Sequence, residues 1–422
     1  MTRPSDTVAT TVATGTCCSC GLCAAACRCG AISFATDGGS MVPVIDESAC
    51  VHCGRCLAIC PGANLASPPE AEPSPEELLG NVLESYSGWS TDEATLTRAV
   101  SGGVVTQLVA ELLASGKYDS AFLVTNATEG MDGTQPTTQR VSPEDDLTRT
   151  QKSRYLQVSH EPTLRYLLSN PKEHVIIVGV PCALSGIVSA IDAFRLSRDN
   201  YLLIGLFCDR TMTSNVLRYF ERFAPGGRLS GVDFRTKEAS GWPGDLRIYG
   251  NAGAFTDLPA RKRMEVKGYF QPECCLYCLD KLNRCADITV GDDYVHGTQI
   301  NDGKGACSIL VRTEAGMTAL AATDDIALIP SDARDIAHSQ HIENRLVNWH
   351  NARVLEGSHD VSRRDVRTRN SALKSIDIGK AYPEHPELLE RELRRTSSPA
   401  SKMRRRIKRV VGKVLGKLRP KR

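Results

Sequence analysis

The chain has 422 residues, 24% of them charged, and a formal net charge of +2. That length allows two or three domains of ~100 to 200 residues, and no apolar run approaches the ~18 residues needed to cross a bilayer, so a membrane-spanning protein is excluded. The near-neutral total hides an asymmetry: residues 402–422 carry 11 basic residues and no acidic one, leaving residues 1–401 with 40 basic against 49 acidic.

Residues 1–16 lack the basic start and apolar core of a secretory signal, so the 17 cysteines point to metal ligation in a reducing cytoplasm rather than to disulfides. Two runs between residues 17 and 60 identify the metal: Cys17-x2-Cys20-x2-Cys23-x3-Cys27 and Cys50-x2-Cys53-x2-Cys56-x3-Cys60-Pro61. Three thiolates two residues apart wrap one face of a [4Fe-4S] cubane, and in two-cluster ferredoxins the fourth closes the other cube. The spacing therefore predicts one cluster on Cys17, Cys20, Cys23 and Cys60, and a second on Cys50, Cys53, Cys56 and Cys27. Zinc sites want two cysteine pairs across a longer spacer, without a third cysteine in series. Arg28 stands where a proline is usual after Cys27, and Cys18 and Cys29 are surplus thiols, with Cys29 an alternative to Cys27. Residues 1–66 thus read as a bacterial-type ferredoxin module of α+β class.

Pro61, Pro68, Pro69, Pro73 and Pro75 follow within fifteen residues, predicting an extended linker over 67–81 without helix or central strand. Strand and helix signals then alternate. An apolar stripe at Val104, Val105, Leu108, Val109, Leu112 and Leu113 predicts a helix opened by Ser101, Gly102 and Gly103 and stopped at Gly116. Strands are expected at 121–125, 175–180 and 201–207, and continuous apolar runs suggest a mostly parallel sheet covered on both faces, an α/β body. Further strands are expected at 287–290 and 308–311, and an antiparallel addition within 245–270. From about residue 335 the sequence is polar and helical, with no chemistry legible in it.

Cys182 and Cys208 end two of those strands. In an open parallel sheet, ligands gather beyond the carboxyl ends of strands, so both thiols would face one crevice, joined by the chelating pair Cys275-x2-Cys278. Four thiolates complete a cubane. Buried core cysteines, or a zinc site with Cys285 as third ligand, are the alternatives.

The words around these residues carry a resemblance. SGGVVTQL (101–108), KSRY (152–155), VGVPCALSGI (178–187), IGLFCD (204–209), VDFRTKEASGW (232–242) and CLYCLDKLNRCADITVGD (275–292) together resemble the family of coenzyme F420 hydrogenase/dehydrogenase beta subunits, from about residue 82 to 330. The resemblance implies a beta-subunit N-terminal domain over 82–160, a C-terminal domain over 161–335, a helical extension over 336–401 and a basic tail over 402–422. It implies Cys182, Cys208, Cys275 and Cys278 as ligands of a third cluster, with Cys274 an alternative to Cys275. It also implies an FAD flavoprotein that exchanges hydride with coenzyme F420, or uses reduced ferredoxin on another acceptor as 7-hydroxymethyl chlorophyll a reductase does. Ser101, Gly102 and Gly103, at a helix start with free N–H groups, and Ser153, Arg154 and Tyr155 look like its cofactor contacts, with Arg154 on the pyrophosphate and Tyr155 over a ring. Lys237 would hold charge on reduced flavin.

No dinucleotide glycine fingerprint stands in a strand-to-helix context, so a nicotinamide donor is unsupported, and no nucleophile-base-orienter set stands out. His296 reads as polar surface, with a proton relay as the alternative. The function expected is an iron-sulfur flavoprotein oxidoreductase working with coenzyme F420 or ferredoxin, alone or within a larger redox complex. The alternatives are a flavin-free electron-transfer adaptor and a zinc scaffold. In the tail, Met403, Ile407, Val410, Val411, Val414, Leu415 and Leu418 fall on one helical face among the basic residues, predicting a peripheral anchor on an anionic inner membrane face rather than a nucleic-acid segment.

Overall fold

The computed structural model describes residues 7–65, 67–125 and 136–397; the basic tail lies outside the described residues. Among the described residues thirteen strands run in chain order: β1 (Ile32–Asp37), β2 (Ser40–Ile45), β3 (Glu84–Ser90), β4 (Ser120–Val124), β5 (Thr138–Val141), β6 (Val175–Gly179), β7 (Tyr201–Leu206), β8 (Gly231–Thr236), β9 (Asp245–Tyr249), β10 (Phe255–Leu258), β11 (Ile288–Asp292), β12 (Cys307–Val311) and β13 (Ile326–Pro330). The cysteine module holds the hairpin β1-β2, a small sheet is ordered β10-β9-β8, and the body is one eight-stranded sheet ordered β13-β3-β12-β11-β7-β6-β4-β5.

The expectation of a mostly parallel sheet is corrected. Only β11, β7, β6 and β4 run parallel, in three pairings, while the other four pairings are antiparallel. The central strands take crossover helices and so need apolar residues on both faces. Val175 and Ile177 of β6 join Leu184 and Ile187 on one side. Ile176 and Val178 join Leu108 and Leu112 of the helix Val104–Ala114 on the other.

The linker expectation is corrected in part. Ser74 caps a short helix, Pro75–Leu79, which buries Leu78 to 2% exposure. Pro75 stands in its first turn, where proline's missing N–H is no loss. The antiparallel addition expected within 245–270 is the β8-β9-β10 sheet, but its basic RKR stretch begins a helix, Arg261–Val266.

The cysteine module is packed into the body. Leu22 and Ile59 share the core with Leu184 and Ile187. A Cβ on Gly186, in the helix Pro181–Phe194, would lie 2.4 Å from the Leu22 Cδ1 and 3.3 Å from the Ile59 carbonyl oxygen. The polar extension folds as the helices Arg345–Glu356, Arg363–Ala381 and Pro386–Ser397. No helix of the described residues is long and apolar enough to cross a membrane.

Candidate metal centre and cofactor face

The two cysteine runs fold as near copies. Ser19 (φ 54°) and Gly21 (φ 74°) flank Cys20 in left-handed backbone, and His52 (φ 50°) and Gly54 (φ 71°) do the same for Cys53. Such turns swing successive N–H groups to one side, which suits an anionic group. Backbone N–H groups lie beside the sulfurs and favour thiolate: Ser19 for Cys17, Leu22 for Cys20, Ala24 for Cys23, and Gly62 and Ala63 for Cys60. Cys17, Cys20, Cys23 and Cys60 line one cavity with Phe34 and Pro43. Burial, and then the neighbouring Cys60, push the Cys17 thiol up to about 11, and Cys20 and Cys23 rise for the same reasons. In the other run, Cys56 neighbours Cys53 and Cys27, while Cys29 is exposed. Cys60 thus lies with the first run and Cys27 beside the second, an arrangement compatible with an exchange of fourth ligands.

The body's cysteines also meet. Cys182 and Cys208 follow the carboxyl ends of the adjacent parallel strands β6 and β7. The Cys208 N–H donates to the Lys281 carbonyl at 2.9 Å, drawing the 275–281 loop over the same end of the sheet. Burial, then the proximity of Cys275 and Cys182, push the Cys208 thiol well above its ordinary value. Cys278 rises to about 12, chiefly through burial, with Arg345 opposing. Thiols that resist ionisation at Cys208, Cys275 and Cys278 fit a polycationic iron core, because bound metal supplies the charge that makes thiolate favourable there. Among the described residues no three such groups stand close enough to hold a single metal ion. The corners of a cubane bind separate irons and do not need that approach. Cys285 lies apart, 3.7 Å from the Asn283 Oδ1.

Two residues that spacing left as surplus or unmarked belong here. Cys18, 9% exposed, lines the first cavity and also contacts Cys182 and Cys274. Successive side chains point in different directions, so Cys17 serves the module's site while Cys18 reaches the body's. Their adjacency was the available signal. His160 was not anticipated. It is 2% exposed, its backbone N–H donates to the Cys20 carbonyl at 2.8 Å, and its Nδ1 has no hydrogen-bond partner among the described residues. Burial lowers it to about 4.

The residues singled out for FAD gather along one face of β8, where Asp233 and Arg235 alternate with core residues and Lys237 follows the strand's end. Asp233 pairs with Lys152 at 2.5 Å and neighbours Arg154. Arg235 makes a bidentate pair with Asp292 (2.7 and 3.0 Å) and approaches Tyr155. Trp242 donates to Asp292 at 3.1 Å, with the half-exposed Tyr294 ring 5.7 Å away. Burial opposes ionisation of Asp292, but Arg235 and Trp242 hold it below the usual carboxylate range. The Arg263 guanidinium stacks 4.4 Å from the Tyr155 ring centre, and Ser153 is half-buried beside them in sequence.

Parts of this face have internal work. The Lys237 Nζ donates to the carbonyls of Leu96 (2.7 Å), Ser101 (3.0 Å) and Lys304 (2.8 Å), and burial lowers it to about 8. Ser101 donates to the Ala306 carbonyl at 2.5 Å, and the N–H groups of Gly102 and Val104 turn to the Cys307 sulfur. Gly102 is required for space: its Cβ would meet the Gly88 carbonyl at 2.7 Å. His296, expected as surface, binds the buried Asp293 at 2.9 Å and the Ser87 hydroxyl at 3.1 Å through Nδ1.

Comparison with known proteins follows the same division. The family model for the 4Fe-4S dicluster domain matches residues 16–64. Those for the coenzyme F420 hydrogenase/dehydrogenase beta subunit match residues 85–165 (N-terminal part) and 172–333 (C terminus). The chain belongs to the family of coenzyme F420 hydrogenase/dehydrogenase beta subunits, with a fused two-cluster iron-sulfur domain. This family member is 26% identical over 322 residues to the coenzyme F420-dependent sulfite reductase of Methanocaldococcus jannaschii, covering 72% of this chain and 45% of that protein. It therefore spans about half the length of that relative. It is 24% identical over 308 residues to a component of the F420H2 dehydrogenase of Methanosarcina mazei, covering 71% of this chain and 80% of the relative. A chain of the xenon-derivatised F420-reducing [NiFe] hydrogenase complex from Methanosarcina barkeri superimposes with a TM-score of 0.46 at 18% identity, covering 72% of this chain and 92% of the other.

Proposed function

We propose that the chain is an oxidoreductase passing electrons between FAD, three [4Fe-4S] clusters and coenzyme F420 or a ferredoxin-coupled acceptor. The observation that carries this reading is the convergence of Cys182, Cys208, Cys275 and Cys278 beside Cys18, which also lines the cavity of Cys17, Cys20, Cys23 and Cys60. When bound, flavin splits a two-electron hydride into single-electron steps that clusters can carry. The protein's part is to hold, orient and insulate. Cys182, Cys208, Cys275 and Cys278 would hold the body cluster, and the β8 face would receive FAD through Arg154, Ser153, Tyr155 and the 101–103 turn. Arg235 and Asp292 keep that face rigid. Both relatives carry F420 in their names, which supports it as redox partner, and the dehydrogenase component supports operation within a larger complex.

A flavin-free adaptor is the second reading, favoured by Lys237, whose donors are taken by three carbonyls. Anaerobic reconstitution separates the two. The enzyme reading expects a flavin spectrum, about twelve irons per chain, and reduction by F420H2 or reduced ferredoxin in parallel trials that include NADPH. Absence of flavin after reconstitution sinks the enzyme reading. Arg154→Ala is expected to weaken flavin retention with the iron content unchanged.

A further inference from the structure

The polar extension beyond residue 335 carries no motif, and the family match ends at residue 333. Yet its helix Arg345–Glu356 turns one face onto the body's cysteine loop. Arg345 is 5% exposed and donates to the carbonyls of Cys208 (2.5 Å), Asp209 (3.0 Å) and Cys278 (3.4 Å). One turn on, the Asn348 Nδ2 donates to the carbonyls of Cys278 (2.7 Å) and Cys275 (3.1 Å). Asn351, 3% exposed, donates to the Leu276 carbonyl at 3.2 Å. Positions 345, 348 and 351 fall on one side of a helix, so a single element holds the peptide units of three of the four cysteines.

Arg345 is a buried cation that makes no direct ion pair among the described residues; Asp209, whose carbonyl it binds, pairs its carboxylate with Arg210 (3.1 Å) and Lys267 (3.0 Å) and feels Arg345 at longer range. It also neighbours the thiols of Cys208 and Cys278 and the Lys281 ammonium. A cubane on four thiolates is anionic and gains one more negative charge on reduction, so a fixed cation beside it stabilises the reduced form more than the oxidised form.

We propose that Arg345 and Asn348 are positioning residues of the body's cysteine site, with Arg345 making its cluster easier to reduce and Asn348 fixing the Cys275–Cys278 loop. This rests on the reading of Cys182, Cys208, Cys275 and Cys278 as cluster ligands.

The test is an anaerobic redox titration followed by electron paramagnetic resonance on the full chain, alongside iron analysis. The body cluster's signal is identified by its absence from the Cys275→Ser/Cys278→Ser double variant. Arg345→Met is expected to make reduction about tenfold less favourable, which for one electron lowers the potential by about 59 mV. Arg345→Lys restores it, and Asn348→Leu leaves the potential in place while hastening loss of about four irons to a chelator. A parent with about twelve irons whose potential is unmoved in Arg345→Met overturns the role of Arg345 alone. A parent with only about eight irons removes the body cluster, and the underlying reading with it. Should Arg345→Met not retain the cluster, Arg345→Gln, which keeps donors and drops the charge, is compared with Arg345→Lys; equal potentials in that pair overturn the proposal.

Discussion

The module's cysteine sites and the body's site use the same side chain and are built in opposite ways. Between residues 17 and 60, the cysteines follow one another at short fixed spacings, with left-handed backbone at residues 19, 21, 52 and 54 supplying the curvature. In the body, Cys182, Cys208, Cys275 and Cys278 come from two strand ends and a loop, and a helix of the polar extension holds the carbonyls of Cys208, Cys275 and Cys278 from outside. A local site survives most changes elsewhere. An assembled one is only as sound as the sheet, the docking of the module and the distant helix that complete it.

The largest expected effect breaks the comparison at its root. Cys275→Ser with Cys278→Ser should lower the iron content by about four while the module keeps about eight; unchanged iron would remove the assembled site altogether. Next comes Arg235→Met, which strands buried Asp292 and should cost about 3–5 kcal/mol in chemical denaturation. A loss under about 1 kcal/mol would mean that the β8 face does not depend on that pair. Gly186→Val forces a side chain against Leu22 and should cost roughly 1–3 kcal/mol by overpacking, with cleavage in residues 7–65 by limited proteolysis rising first. Equal protection of that segment would mean that the docking is looser than the core contacts require.

The smallest effect is one of pH. His160 is lowered to about 4 by burial, against 6.5 when unfolded. Between those values the unfolded chain binds the extra proton, so stability falls as pH falls through this window, by at most about 2 kcal/mol from pH 6.5 to 5. His160→Gln should flatten that part of the urea-midpoint profile, and an unchanged slope would show that another group titrates there.

Legibility divides along the same line. The helix at 104–114 and strands β4, β6, β7, β11 and β12 announced themselves through apolar runs, because a strand covered on both faces has little room for polar residues. β3 did not, although it lies between β12 and β13. Its buried positions are Ser87, Gly88 and Ser90; Ser87 meets His296 at 3.1 Å, Ser90 donates to Gln107 at 2.8 Å, and a Cβ on Gly88 would crowd the Ala327 carbonyl at 2.8 Å. Without that strand, the mixed character of the sheet was not readable. Arg345 and Asn348 were illegible for a related reason: they act on carbonyls, and every residue has one.

The close fit of Leu22 against Gly186 bears on how such chains are assembled from parts. A ferredoxin joined by a proline-rich stretch invites the picture of a tethered carrier swinging between donors and acceptors. Here the carrier's own hydrophobic residues complete the wall of its host, and the notch that receives them is cut to the absence of a single methyl group. Such a unit is closer to a built-in terminal than to a plug. Grafting a foreign ferredoxin onto this body would leave an unsealed face unless the surface around Gly186 were recut to match.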